Sequence, residues 1–268
     1  MIAKKRLGQN FLRDPEVTRK IISSLRLKKD DVLLEIGCGR GALTKHLVGA
    51  TRQFIGIELD SRFWLELINQ FDDPSVLFLN QDILTVKLER LLQHLRCEGC
   101  LVKVGGNIPY HISSPLVQWL TQQVEFLDSA TIMFQKEVGE RLSAEPGTKE
   151  YGLLTLLSQY YFRVSPLFTV NRSAFWPKPK VDSQVIRFDP VSERILPIQK
   201  ERAFFAFLKN CFSQRRKILM NCLKSSSFSS ECLDAALKNL GLSRQIRAED
   251  LSLKELSTLF LELEKECF

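Results

Sequence analysis

The chain has only three histidines and seven cysteines. Cys97 and Cys100 form a single C-x-x-C, but no second pair supplies the other half of a zinc site. The other cysteines, Cys38, Cys211, Cys222, Cys232 and Cys267, are scattered and leave an odd total. That argues against a disulfide framework and favours reduced thiols in an intracellular protein. No segment approaches the roughly 20 apolar residues of a membrane span. The amino terminus, MIAKKRLGQNF, is basic but has no apolar stretch of the kind a secretory signal carries. A cytoplasmic location without membrane or metal is therefore expected. There is no internal repeat, and the only low-complexity tract is SSSFSS at 225–230. Acids are also in deficit, 31 against 38 lysines and arginines, giving a net charge of +7. Such a balance suits an anionic partner, nucleic acid or an acidic surface, although simple solubility explains it equally well.

At 268 residues and 44% hydrophobic, the chain can bury a sizeable core as one large domain or a main domain with a smaller partner. Residues 15–26 carry helical periodicity, with Pro15 at a plausible first turn. Then five short apolar runs, VLLEIGCG, FIGIELD, VLFLNQD, LVKVGGN and SATIMFQKEV, alternate with helical segments. That alternation predicts an α/β, Rossmann-like parallel sheet with helices on both faces. SAEPGTKEYG at 143–152 reads as a surface loop. YYFRVSPLFTV and QVIRFDP read as an antiparallel hairpin at the sheet edge, joined by NRSAFWPKPKVDS. A linker from Pro190 to Pro197 then leads to a strand-free, amphipathic remainder. The division expected is a catalytic domain over 1–189 and a small all-helical domain over 190–268.

EIGCGRGALT follows the first strand and opens a helix. Gly37, Gly39 and Gly41 allow backbone amides to approach a ligand near a helix N-terminus. Glu58 ends the second strand about 20 residues later, where an acid can grip ribose hydroxyls. This much fits a nicotinamide enzyme as well as a methyltransferase. Asp82 closes the third strand and could accept a hydrogen bond from an adenine amino group, or simply cap a helix. Three strand tips bearing glycine or acid along one sheet edge are what a ligand site in an open α/β sheet requires.

The fourth strand runs into GGNIPYHISSP. An exocyclic amine on a base is a weak nucleophile, because its lone pair is delocalised into the ring. Acceptors aimed at its N–H bonds favour the geometry in which that pair becomes available. Asn107 offers a side-chain carbonyl. Pro109 removes a competing N–H and holds Ile108 extended, and Tyr110 offers a ring for stacking worth ~1–3 kcal/mol. Such a loop can clamp an amino group at the mouth of a cofactor pocket. In-line placement of donor and nitrogen, rather than a strong base, would supply most of the rate. The competing interpretation is a proline-kinked turn around a buried tyrosine.

LGQNFL, EIGCGRGALT, GIELD, NQD and GNIPYHISSPL stand in the order and spacing of the rRNA adenine dimethyltransferases. MFQKEVGERLSAEPGTKEYG, FWPKPKVDS, FSQRRKILMN and RAEDLSLKEL further resemble the bacterial small-subunit branch. The likeness runs from residue 7 to beyond 255. It implies a class I methyltransferase fold, S-adenosylmethionine as cofactor, and dimethylation of two adjacent adenosines in the 3′-terminal hairpin of small-subunit rRNA. It further implies that Asn10 and Leu12 flank the methionine end of the cofactor, Gly37 and Gly39 form its glycine loop, and Glu58 holds its ribose. Asp82 would meet the adenine and Asn107 the reacting side. Asn107, Pro109 and Tyr110 would form the amine site, with Phe175 a second aromatic wall against the flipped-out base. On spacing alone, Phe175 could equally be a hydrophobic anchor for the proline loop. Many relatives carry asparagine at the place of His111, and proline or a small residue at that of Cys38. His111 is expected to orient the loop by hydrogen bonding, and Cys38 to fill space.

Arg215, Arg216 and Lys217 lie beside an apolar helical face, while Lys178 and Lys180 flank the proline loop. Lys4, Lys5, Arg6, Arg13, Arg19 and Lys20 crowd the amino terminus. These are candidate phosphate contacts, each of which could also be an ordinary solvated face. The expected partner is small-subunit rRNA in a pre-ribosomal particle, bound by a monomer. Three readings compete: a large-subunit enzyme of the macrolide-resistance type, a nicotinamide dehydrogenase, and a non-catalytic RNA-binding assembly or transcription factor.

Overall fold

A computed structural model describes residues 9–214, 217–224 and 228–267. Two compact units emerge: residues up to Glu140 with Phe162–Pro190, and Arg141–Tyr161 with the chain from Val191 onward.

The first unit begins with a two-residue strand β1 (Phe11–Leu12) and helix α1 (Pro15–Ser24). Asp14 caps α1, its Oδ1 accepting from the amides of Glu16 at 2.8 Å and Val17 at 3.2 Å, with Pro15 at the first helical position. Then follow β2 (Val32–Ile36), α2 (Thr44–Leu47), β3 (Gln53–Ile57), α3 (Ser61–Gln70), β4 (Val76–Leu79), α4 (Leu88–His94), β5 (Val102–Asn107), α5 (Ser113–Gln122), β6 (Leu127–Gln135) and α6 (Lys136–Leu142). After an excursion into the second unit the chain returns as β7 (Phe162–Val170), the short β8 (Phe175–Trp176) and β9 (Ser183–Pro190).

The main sheet has the order β4-β3-β2-β5-β6-β9-β7. All neighbours pair in parallel except at β9, which runs antiparallel to both β6 and β7. The expected hairpin is thus present, with β9 inserted against β6 and β7 forming the edge. Pro166 sits in that edge strand at a register shift, where a missing N–H is tolerated. β2 is buried at every position, as a central strand covered by helices on both faces must be. Strand order reverses between β2 and β5. That switch point opens a crevice at the carboxyl ends of the strands.

Two glycines are required where β5 crosses this centre. A Cβ on Gly106 would lie 2.5 Å from the Ile36 carbonyl oxygen, and one on Gly105 would lie 2.8 Å from Leu25. The glycine pair before Asn107 therefore reflects close strand and helix approach, not ligand contact.

The second unit contains α7 (Leu153–Tyr161), α8 (Ile198–Cys211), α9 (Leu219–Leu223), α10 (Ser230–Asn239) and α11 (Leu253–Cys267). Its core gathers Tyr151, Tyr160, Phe204, Phe207, Leu237 and Phe260. The boundary expected at 189/190 lies one residue from the last crossing, but the helical unit also takes in residues 141–161. SAEPGTKEYG is consequently more than a surface loop. Tyr151 is 1% exposed and donates to the Leu251 carbonyl at 3.0 Å, and the Gly147 amide donates to the Glu249 carbonyl at 2.7 Å. Breaker residues marked an irregular segment correctly, but its partners lie about a hundred residues further on. No described helix is long and apolar enough to cross a membrane.

Candidate active site

At the switch point a cavity of about 400 Å³ opens between the ends of β2, β3 and β5 and the ribbon made by β1 and β8. Its size falls within the usual range for small-molecule pockets, about 300–1,000 Å³. Asn10, Leu12, Gly37, Gly39, Glu58, Asp82, Asn107 and Pro109, all expected on sequence grounds, line it together.

The glycine turn after β2 holds Gly37 at φ 71° and Gly39 at φ 53°, in the left-handed region that side chains rarely adopt. A Cβ on Gly37 would stand 3.5 Å from the Asn107 carbonyl oxygen, so the turn keeps that space clear. Glu58 braces it: Oε2 accepts from the Gly39 amide at 2.7 Å and Oε1 from the Asp60 amide at 2.8 Å. Burial pushes the Glu58 carboxyl above its ordinary value, opposed by those amide hydrogen bonds. Asp82 does cap a turn, its Oδ1 accepting from the Leu84 amide at 3.0 Å, while also lining the cavity. Capping and ligand contact are compatible, because each carboxylate oxygen has more than one acceptor position.

Asn107 ends β5 with Nδ2 donating to the Asn10 carbonyl at 3.0 Å. A carbonyl can only accept, which fixes the amide's orientation and leaves Oδ1 without a hydrogen bond from the described residues. Tyr110 and Phe175 are not part of the cavity lining. The Tyr110 hydroxyl is 2.8 Å from Ser183 Oγ. Phe175 is 4% exposed and belongs to the core beside Leu12. The reason is register. β1 and β8 pair Leu12 with Phe175 and Phe11 with Trp176. Facing residues share a side and successive ones alternate, so turning Phe175 inward turns Trp176 outward. The position of Phe175 in this structure fits the anchoring interpretation.

Sequence reasoning also missed Glu35. It lies in the buried strand β2, lines the cavity, and accepts from Thr44 Oγ1 at 2.7 Å. Burial raises its carboxyl to about 7, against a smaller lowering by the Thr44 hydrogen bond. A charged residue inside an otherwise apolar run was the available signal. Cys38 is buried with its thiol held well up by desolvation, in keeping with a space-filling role. His111 lines the cavity, whereas His46 and His94 are exposed on helices. Lys178, Lys180 and Lys217 are exposed. Arg215 and Arg216 lie outside the described residues, as do Lys4, Lys5 and Arg6. No group of three potential metal ligands occurs among the described residues.

An open sheet with a glycine cradle, separate strand-end carboxylates and a cavity of this size fits S-adenosylmethionine and defines a class I methyltransferase. More particularly, the chain belongs to the ribosomal RNA adenine dimethylase family, which it matches over residues 2–265. It is 38% identical to ribosomal RNA small subunit methyltransferase A of Clostridium acetobutylicum over 97% of this chain and 93% of that one. The protein of the same name in Chlorobaculum tepidum is 40% identical, over 97% and 89%. Among solved structures, a dimethyladenosine transferase from Plasmodium falciparum superposes with a TM-score of 0.82 at 29% identity, covering 96% of this chain and 98% of that one. The 23S rRNA methyltransferase ErmE gives 0.74 at 26% identity, covering 95% and 100%. The chain is thus an S-adenosylmethionine-dependent rRNA adenine methyltransferase.

Proposed function

We propose that the protein dimethylates the exocyclic amines of two adjacent adenosines in the 3′-terminal hairpin of small-subunit rRNA, acting as a cytoplasmic monomer on a pre-ribosomal particle. The choice of subunit is carried by end-to-end likeness to enzymes named for the small subunit, 38–40% identical over 97% of the chain. ErmE, named for 23S rRNA, supports the large-subunit alternative at lower identity, 26%.

S-adenosylmethionine supplies an activated methyl group on a sulfonium. The chain's own residues must then bind, orient and dehydrate. Glu58 would hold the ribose hydroxyls while keeping the Gly39 amide in place. Asp82 would accept from the adenine amino group. Asn10 and Leu12 would enclose the methionine end, below the cradle of Gly37 and Gly39. Asn107 Oδ1, with the carbonyls of the loop that Pro109 stiffens, would accept from the target amine and favour the pyramidal geometry needed for attack. Developing positive charge on that nitrogen is stabilised by the same fixed acceptors. The target base must leave its stack, and the Tyr110 ring is the candidate for receiving it once the Ser183 contact rearranges. Phosphates would be met by Lys178, Lys180 and Lys217, and by Arg215 and Arg216, with residues 190–268 serving as an RNA-binding domain.

Methyl transfer from labelled donor to unmethylated small and large ribosomal subunits tests this, followed by mapping of the label. Two neighbouring adenosines labelled on the small subunit are expected. Label confined to the large subunit would overturn the assignment.

A further inference from the structure

Trp176 is left unexplained by the chemistry above. It is 42% exposed, although its neighbour Phe175 is buried at 4%. Trp64 donates its indole N–H to the Phe78 carbonyl at 3.0 Å, and Trp119 donates to the Val86 carbonyl at 2.8 Å. Those two are held in packed surroundings, which leaves Trp176 as the exposed member of the chain's three tryptophans. An exposed aromatic at this density of polar neighbours is a common anchor for a binding partner.

Its setting narrows the partner. Trp176 and Arg13 line the same cavity as Asn107, Pro109 and His111. The Arg13 guanidinium carbon lies 4.8 Å from the Trp176 ring centroid, within cation–π range. The Arg13 amide donates to the Ala174 carbonyl at 2.8 Å, which fixes the β1–β8 ribbon as the support for both side chains. Arg172, Lys178 and Lys180 are all exposed on the same stretch of chain. An indole flanked by guanidinium and ammonium groups matches a nucleobase with its phosphates better than it matches an apolar peptide.

We propose that Trp176, backed by Arg13, stacks a base adjoining the adenosine under modification and so positions the RNA strand at the cavity mouth. The inference rests on the substrate reading given above. The amine must be placed at Asn107, and a neighbour one nucleotide away stays within reach of residues on the same rim. Because the two target adenosines adjoin each other, the unreacted member of the pair is itself such a neighbour.

Steady-state methylation of unmethylated small subunits by wild type, W176A, W176F and R13A tests this. W176A is expected to raise KM for the subunit about tenfold, equivalent to ~1.4 kcal/mol, with the change in KM rather than kcat. W176F should restore KM to within about threefold, since a phenyl ring still stacks. R13A should raise KM by a smaller factor. The melting temperature of W176F should match that of wild type, which separates strand positioning from a structural role in the ribbon. In a companion titration, an unmethylated hairpin fragment should quench intrinsic tryptophan fluorescence, and W176F should abolish that quench. A W176A protein with unaltered KM would sink the proposal, as would an unchanged quench in W176F. Wild-type protein that labels no small subunit is a distinct result and would refute the substrate reading instead.

Discussion

The Asn107 side-chain amide reaches back 97 residues to donate to the Asn10 carbonyl at 3.0 Å. One hydrogen bond thereby ties the start of the described chain to the end of the central strand and sets which end of the amide remains available. Asn107→Asp removes the donor and places a carboxylate against a carbonyl oxygen. Asn107→Ala removes both ends. Each is expected to lower kcat by about 10- to 100-fold, the cost of one oriented hydrogen bond, in single-turnover methyl transfer. The aspartate should be the worse of the two. An N107A enzyme as active as wild type would mean that Oδ1 has no part in the chemistry.

Glu58 gives a sharper test of the glycine turn, because both its oxygens are engaged by amides. In Glu58→Gln one of the two positions must become NH2, facing either the Gly39 or the Asp60 N–H at under 3 Å. Donor would meet donor whichever way the amide turns. Affinity for S-adenosylhomocysteine, measured by calorimetry, should fall by about 10- to 100-fold. Binding within twofold of wild type would contradict the bracing role.

The Glu35 carboxyl predicts a pH dependence with a definite sign. Its ordinary value of 4.5 is raised to about 7 in the folded chain, so the native state holds the proton more tightly than the unfolded state does. Between those values the folded protein binds more protons, and stability falls as pH rises. Full stability from this group is present below about pH 4.5 and is lost through pH 7, a swing of roughly 3 kcal/mol. Glu35→Gln stays neutral throughout. The melting temperature of wild type relative to E35Q should therefore decline from pH 5 to pH 8. A flat difference, or one of opposite sign, would show that Glu35 is ionised in the native protein at pH 5.

How much of this was legible beforehand follows from the range of each interaction. Val32–Ile36 and Gln53–Ile57 were readable as strands because a core strand buried on both faces needs a continuous apolar run. Their polar tips pointed to the cavity edge for the same local reason. The helix that EIGCGRGALT opens is short, Thr44–Leu47, because the glycine turn takes up the residues before it and Val48 leaves the helix. The inward turn of Phe175 depends on its pairing with Leu12, 163 positions away in the chain, and no local pattern announces it. Tyr151 joins the helical core in part by donating to the Leu251 carbonyl, a hundred positions further on. Glu35 was overlooked for another reason: in a run of apolar residues it reads as a tolerated exception, and its buried Thr44 partner appears only in three dimensions.

Tyr110 combines an aromatic face with a hydroxyl 2.8 Å from Ser183 Oγ, and the two features predict different mutant behaviour. If the ring receives the target base, Tyr110→Phe keeps the stacking surface and loses only one neutral hydrogen bond, typically worth about 0.5–1.5 kcal/mol. Ser183 is fully buried, so Y110F should cost some stability, seen as a lower melting temperature. Its methylation rate should nevertheless stay within about fivefold of wild type. Tyr110→Ala removes the surface as well and should lower kcat/KM by a further 10- to 100-fold, in line with the loss of one base–aromatic stack. Ser183→Ala separates the contributions, since it breaks the hydrogen bond and leaves the ring intact. Equal losses of activity in Y110F, S183A and Y110A would assign the residue to holding the loop, and the base would need another platform.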